Sequence, residues 1–209
     1  MNSAKTKNLL LASQSPRRKE FLQTLSINFE IANFCYKNEP TNLEVPVKHK
    51  ELIPYYIALI KMDQYLDSVK EFKHNFILTA DTLVDTGSNI FGKPATRKDA
   101  IKMLNQHLGQ SHFVYSAIVL VDLRHKKLYK CIDTAVVTFK QRTKQIDKII
   151  KKYGQLSPPF GPLDKAGGYG IQEPLIRDNL ILSIEGDINT IIGFPLKKFK
   201  KLWKKINSI

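Results

Sequence analysis

The chain is poor in the residues that mark a metal centre or a disulfide framework. It has 2 cysteines, Cys35 and Cys131, each alone in an apolar or β-like context, which reads as two buried structural thiols. Its 5 histidines, at 49, 74, 107, 112 and 125, show no ligand spacing, and no cysteine pair stands beside them, so no zinc site is expected. No apolar run approaches the ~18 residues that span a bilayer. The run from Leu9 to Ala12 is too short for the core of a secretory signal, so the expectation is a cytoplasmic protein without membrane association. Internal repeats, low-complexity tracts and a clear linker are also missing. With 209 residues, 43% of them hydrophobic, the chain has material for one well-cored domain over 1–209.

Acidic side chains are scarce as well: 19 face 33 lysines and arginines, a formal charge of +14. That balance attracts polyanions, nucleoside triphosphates and nucleic acid alike, and does not choose between them. Much of the excess lies in Lys197, Lys198, Lys200, Lys201, Lys204 and Lys205, interleaved at helical spacing with Leu196, Phe199, Leu202, Trp203 and Ile206. This pattern reads first as a C-terminal amphipathic helix with a solvated lysine face, ahead of a nucleic-acid or membrane-surface patch.

The order of elements is mixed α/β. Strands are expected near 8–12, 76–80, 112–123, 128–139 and 180–184, the third and fourth joined as a hairpin by the polar turn Arg124 to Lys127. Helices are expected at 16–25, at 54–67, after a capping box at Thr96 and Asp99, and through Ile146, Ile149, Ile150 and Tyr153, with Gly154 placed to end the last. Residues from about 26 to 50 read as irregular. Residues 155–173, dense in glycine and proline, form a loop long enough to carry function. Gly87, Gly92 and Lys93 have the spacing of a P-loop, but Pro94 stands where a hydroxyl should hold Mg²⁺, so the match is a decoy.

The densest signal is LeuLeuLeuAlaSerGlnSerProArgArg at 9–18, a buried-strand run leading into a helix start. Ser15 is a favoured N-cap and Pro16 suits the first helical position. Arg17 and Arg18 then fall where the helix dipole favours acids, so the placement fits an anion above the free N–H groups; the alternative is two solvated arginines. Asp81, at the end of the apolar run 76–80, is a candidate general base, with a turn-capping aspartate as the alternative. Lys61 has apolar neighbours, which points to partial burial beside an anionic partner.

This opening stretch resembles that of the Maf family, the septum-formation-inhibitor-like nucleotide pyrophosphatases. The likeness continues through Ala80–Asp81–Thr82, Gly92–Lys93–Pro94, AspLysAlaGlyGlyTyrGlyIleGln at 164–172, and Gly186–Asp187 followed by Gly193–Phe194–Pro195–Leu196. The resemblance implies an α/β fold of the Maf or ITPase-like kind, a twisted mixed sheet flanked by helices, with two lobes around a substrate cleft. It implies hydrolysis of a nucleoside triphosphate to the monophosphate and pyrophosphate, assisted by Mg²⁺ or Mn²⁺, in a homodimer. It implies Asp81 as proton acceptor, and Ser13, Arg18, Lys61, Lys93 and Lys165 as substrate contacts.

Asp81 and Glu39 are its metal candidates, although CysTyrLysAsnGluPro around Glu39 departs from the family's AspGlu pair. Asp187 reads equally well as structural. Arg17, Thr82 and Gln172 match the positions that separate a dTTP- and UTP-type subgroup from a 7-methyl-GTP subgroup, and here the pattern is the first. Two departures stand nearby, Glu173 where the family carries glycine, and Pro174 after it. The alternative in another class is a nucleotide- or nucleic-acid-binding regulator of cell division without catalysis. A carboxylate among the cations argues against it, because a pure polyanion binder has no use for one.

Overall fold

The computed structural model describes residues 9–34, 36 and 48–207, so Cys35 and Glu39 lie outside it. Its strands, in chain order, are β1 (Leu9–Leu11), β2 (Phe29–Ile31), β3 (Phe76–Asp85), β4 (Ile90–Phe91), β5 (Ser111–Asp122), β6 (Lys127–Phe139) and β7 (Ile181–Glu185). The helices are α1 (Pro16–Thr24), α2 (Ile53–Ser68), α3 (Arg97–His107), α4 (Lys144–Gly154), α5 (Pro174–Arg177), α6 (Ile188–Ile192) and α7 (Leu196–Asn207). The strands make one mixed sheet in the order β2-β1-β3-β5-β6-β7, with β4 paired to β3 alone. β1 runs parallel to both β2 and β3, while β4 and β7 pair antiparallel with β3 and β6. None of the helices described is long and apolar enough to cross a membrane.

The chain packs as two compact units, Met1–Asp81 with Ser116–Asp133 and Gly193–Ile209, and Thr82–Tyr115 with Thr134–Ile192. In the first, β1 is buried on both faces, as a parallel strand between neighbours requires. Leu9 and Leu11, with Phe76, Leu78 and Ala80, pack on Leu22 of α1 and on Phe199 and Ile206 of α7. Leu10, Ala12 and Ile77 point the other way, onto Ala58, Met62 and Tyr65 of α2. Each such side chain gains roughly 2 kcal/mol on burial. A one-residue slip of β1 would exchange the two faces, so its register is strongly fixed. Helix α7 buries its apolar stripe while Lys197, Lys198, Lys200, Lys201, Lys204 and Lys205 are all exposed, the solvated face read from the sequence.

The second unit has its own core, in which Val84, Val114, Val137 and Phe139 of the strands meet Leu104 of α3, Ile146, Ile149, Ile150 and Tyr153 of α4, and Tyr169 and Ile171 of the glycine-rich loop. Thr96 caps α3 in a reciprocal box with Asp99, as expected.

Three expectations need correction. Phe29–Ile31 is a strand, because it pairs in register with β1 (Leu9↔Phe29, Leu11↔Ile31) despite a half-polar sequence. β3 does not stop at Ala80. Its far end is held by pairing with β4 (Val84↔Phe91), so Asp81 lies inside the strand. α4 ends at Gly154 as expected, without a left-handed turn there; a Cβ would stand 2.8 Å from Cγ1 of Ile101, so glycine lets α4 approach α3. The short helices α5 and α6 escaped notice because 4- and 5-residue elements show no period. Of the P-loop decoy, Gly87 lies in the β3–β4 turn, at φ +85° with its N–H held by Asp85, while Gly92, Lys93 and Pro94 follow β4.

Candidate active site

In the first unit the two periodicities of strand and helix converge on one point. Along β3, Thr79 and Asp81 face α2, two residues apart. Along α2, Ala58, Lys61, Met62 and Tyr65 form the buried stripe. Thr79 Oγ1 donates to the carbonyl of Ala58 at 2.7 Å, which fixes the helix against the strand. One turn further, Lys61 Nζ donates to Asp81 Oδ1 at 2.7 Å. The residues are 4% and 9% exposed, so the pair works where the local dielectric is low and its attraction strong. The aromatic ring of Tyr36 lies 5.7 Å from the same ammonium, and its hydroxyl donates to the carbonyl of Ala12 at 2.7 Å. Tyr36 thereby ties Lys61 to the end of β1. Nothing in the sequence marked it, since it stands in a stretch without period.

At the start of α1, Ser15 has the extended conformation of an N-cap, but its side chain makes no capping bond and the first turn holds no acid. Ser13 Oγ instead accepts from the N–H of Ser15 at 3.3 Å and from Arg18 Nη1 at 3.0 Å. Arg18 Nε donates to the carbonyl of Gly193 at 3.2 Å. The guanidinium is thus oriented at both ends, joining the first motif block to the GlyPheProLeu block, and both Arg17 and Arg18 are half-buried. A fixed guanidinium, a serine hydroxyl and a helix start without an acid in its first turn are groups whose chemistry suits an anion.

The second unit holds the other residues singled out. Lys93 is exposed on its turn, and Thr82 is half-buried in β3. The N–H of Gly167 donates to the carbonyl of Gly92 at 3.0 Å, so the GlyLysPro turn and the AspLysAlaGly loop are hydrogen-bonded to each other. Gly167 sits at φ +70°, where a Cβ would meet Val84 Cγ2 at 2.8 Å, so this contact demands glycine. His107 Nε2 donates to the carbonyl of Gly167 at 2.9 Å, which assigns its tautomer, and His112 Nε2 bonds the Tyr169 hydroxyl at 2.7 Å. Burial holds His107 down to about 4, against a weaker opposing pull from the Gly167 bond, and it holds His112 down to about 2 with help from His107. These two neutral histidines pin the loop, a role invisible in the sequence.

Gln172 is exposed between buried Ile171 and Glu173. Lys165 is 2% exposed, with its ammonium among oxygens of its own loop. Asp187 accepts from the backbone and side-chain N–H groups of Asn189 at the start of α6, a structural arrangement. Cys131 is buried, which pushes its thiol up to about 11 and leaves it inert.

Among the described residues no three His, Cys, Asp or Glu side chains cluster as a metal cage. A hard cation can also take only one or two carboxylates and complete its shell with phosphate oxygens and water; of the two candidates only Asp81 is described, and its Oδ1 is held by Lys61.

A family model of Maf-like proteins matches residues 8–206. The dTTP/UTP pyrophosphatase of Thermosipho africanus (strain TCF52B) is 34% identical over 94% of this chain and 93% of its own length. The dTTP/UTP pyrophosphatase of Acholeplasma laidlawii (strain PG-8A) is 33% identical over 96% of this chain and 97% of its own. That of Porphyromonas gingivalis (strain ATCC BAA-308 / W83) is 31% identical over 94% and 92%. Arg18 bridging Ser13 and Gly193, and Lys61 held on Asp81, join sequence blocks far apart in the chain, and with a match running almost from end to end they place this chain in the Maf family.

Proposed function

We propose that the chain is a nucleoside triphosphate pyrophosphatase that cleaves dTTP, UTP or modified pyrimidine relatives to the monophosphate and pyrophosphate. The observation that carries this reading is the buried Lys61–Asp81 pair, a carboxylate held in a fixed direction within the unit that also carries Arg18 and Ser13. Asp81 takes the proton of the attacking water as general base. Lys61 fixes the carboxylate and offsets its charge, so the carboxylate is directed rather than free to rotate. Arg18, Ser13 and the N–H groups opening α1 hold phosphate oxygens, and their charge becomes more favourable as the anhydride breaks.

Mg²⁺ or Mn²⁺, with Asp81 as a protein ligand and Glu39 as the second candidate, would supply charge neutralisation on the phosphate oxygens. Lys93 belongs to the same substrate set by resemblance. By resemblance, Arg17, Thr82 and Gln172 are the residues that would select the base: an arginine and an amide can satisfy the polar edge of uracil or thymine, and ligands that leave such groups unpaired are rejected. The relatives named for dTTP and UTP support this assignment. The resemblance further supports a homodimer in the cytoplasm.

The test is a pyrophosphate-release screen over UTP, dTTP, their modified forms, GTP and 7-methyl-GTP, with Mg²⁺ and Mn²⁺ in turn. The expected outcome is release of pyrophosphate and monophosphate, with pyrimidine substrates ahead. Diphosphate and orthophosphate as primary products would point to an ordinary triphosphatase.

A further inference from the structure

Lys165 is surrounded. Its ammonium donates to Asp164 Oδ1 at 2.6 Å, to the carbonyl of Gly161 at 2.7 Å and to that of Pro159 at 3.1 Å. Glu173 Oε1 stands 2.9 Å from the same nitrogen. An ammonium has three N–H groups, and this one has three acceptors plus a fourth oxygen in contact. Gly161 and Glu173 are buried, the latter 8% exposed with its second oxygen accepting from the N–H of Gly161 at 3.2 Å, while Asp164 is half-buried and Pro159 exposed.

Glycine makes the space for this pair. A Cβ at Gly170 would lie 2.6 Å from Lys165 Cε and 2.8 Å from Glu173 Oε1. The Gly170 N–H donates to the hydroxyl of Tyr153 at 3.0 Å. Burial, and then the neighbouring Glu173 charge, push that hydroxyl far above the usual tyrosine range. One cation therefore stands with two carboxylates, and the surplus charge is negative. A triphosphate would meet repulsion here rather than an available ammonium.

Glu173 also begins α5: its extended backbone precedes Pro174 at the first helical position, and its carbonyl accepts from the N–H groups of Ile176 and Arg177 at 3.0 and 2.9 Å. The residue is fixed at both side chain and backbone, and Gln172 precedes it in the chain. We infer that Glu173 is a positioning residue that recruits Lys165 as the internal cation of the loop, so that Lys165 holds Gln172 in place instead of binding the triphosphate. The two departures from the family pattern, Glu173 and Pro174, then act together as one anchor. This inference rests on the reading of Gln172 as a base contact.

The test has two arms. In the first, ¹⁵N-lysine spectra of the free protein, with the Lys165 signal identified by its loss in Lys165→Arg, should show a slowly exchanging Nζ. Addition of α,β-imido-UTP should leave that signal in place. Fast exchange in the free protein, or a shift of Lys165 as large as that of Lys61 on adding the analogue, overturns the inference.

In the second arm, Glu173→Gln keeps an acceptor for Gly161 and removes the charge. KM for UTP should rise about tenfold, the scale of one hydrogen bond to a charged group. kcat should change less than twofold, and the preference for UTP over GTP should shrink by the same factor as KM rises. Glu173→Gly, the family's own residue, should show the same KM effect. A lowered melting temperature with unaltered KM and preference would make the pair merely structural, and a gain in kcat/KM would show a phosphate-binding Lys165 released; either result overturns the inference. Failure of the wild-type protein to hydrolyse UTP or dTTP would sink the substrate reading instead, while exchange at Lys165, read without nucleotide, still decides the lock.

Discussion

Lys61 Nζ and Asp81 Oδ1 lie 2.7 Å apart with both residues buried, one from the buried stripe of a helix and one from the inward phase of a strand. Removing either partner separates its two roles. Asp81→Asn keeps the shape and loses the base, so turnover should fall about 100-fold or more. Lys61→Met leaves a buried carboxylate unpaired, and should cost about 3 kcal/mol of stability in denaturant titrations in addition to activity. A folded Asp81→Asn variant with near wild-type turnover would remove Asp81 from the chemistry.

Arg18 spans from Ser13 Oγ to the Gly193 carbonyl, which needs the fork of a guanidinium. Arg18→Lys keeps the charge but cannot make both bonds in one plane. KM for the triphosphate should rise roughly tenfold or more, while the melting temperature moves little. Equal kinetics for the two proteins would mean that only charge matters at this position.

Base choice offers a third measurement. Gln172→Ala should reduce the UTP-over-GTP ratio in kcat/KM by an amount worth roughly 1–3 kcal/mol. An equal loss on every substrate would show that Gln172 does not read the base.

Acid should weaken the second unit through its two buried histidines. An unfolded histidine takes up its proton near pH 6.5, whereas His107 resists until about 4 and His112 until about 2. Below 6.5 the unfolded chain therefore binds more protons than the folded one. Stability is complete above that pH and declines as pH falls, by roughly 1 kcal/mol per pH unit for each histidine. The titratable groups facing them are each other and Tyr169, whose hydroxyl is pushed upward by burial and stays neutral throughout. Replacing both halves of one bond, His112→Phe with Tyr169→Phe, should reduce the slope of melting temperature against pH by about half, the share of one of two histidines. An unchanged slope would assign the acid sensitivity elsewhere.

Gly154 faces Ile101 with no room for a methyl group. Gly154→Ala should destabilise by roughly 1–3 kcal/mol through overpacking. On an Ile101→Ala background the same change should turn mildly stabilising, by up to about 1 kcal/mol, since alanine then expresses its helix propensity. Chemical denaturation of the four proteins reads this directly.

The amino-acid sequence determined the elements whose periods are long or whose caps are strong: α3 from Thr96 and Asp99, α4 from its isoleucines, the β5–β6 hairpin, and the lysine face of α7. It determined the family through short blocks spread along almost the whole chain. It did not determine β2, which exists because β1 offers it a partner, nor the continuation of β3 past Asp81, which depends on pairing with β4. Tertiary structure alone decided which charges meet. Lys61, Lys93 and Lys165 look alike in a lysine-rich chain, yet one is buried on Asp81, one is exposed and one is enclosed by its own loop. The physical reason is that an ion pair is a property of positions brought together across the fold. Local spacing fixes which face a side chain takes, and only packing fixes what stands opposite.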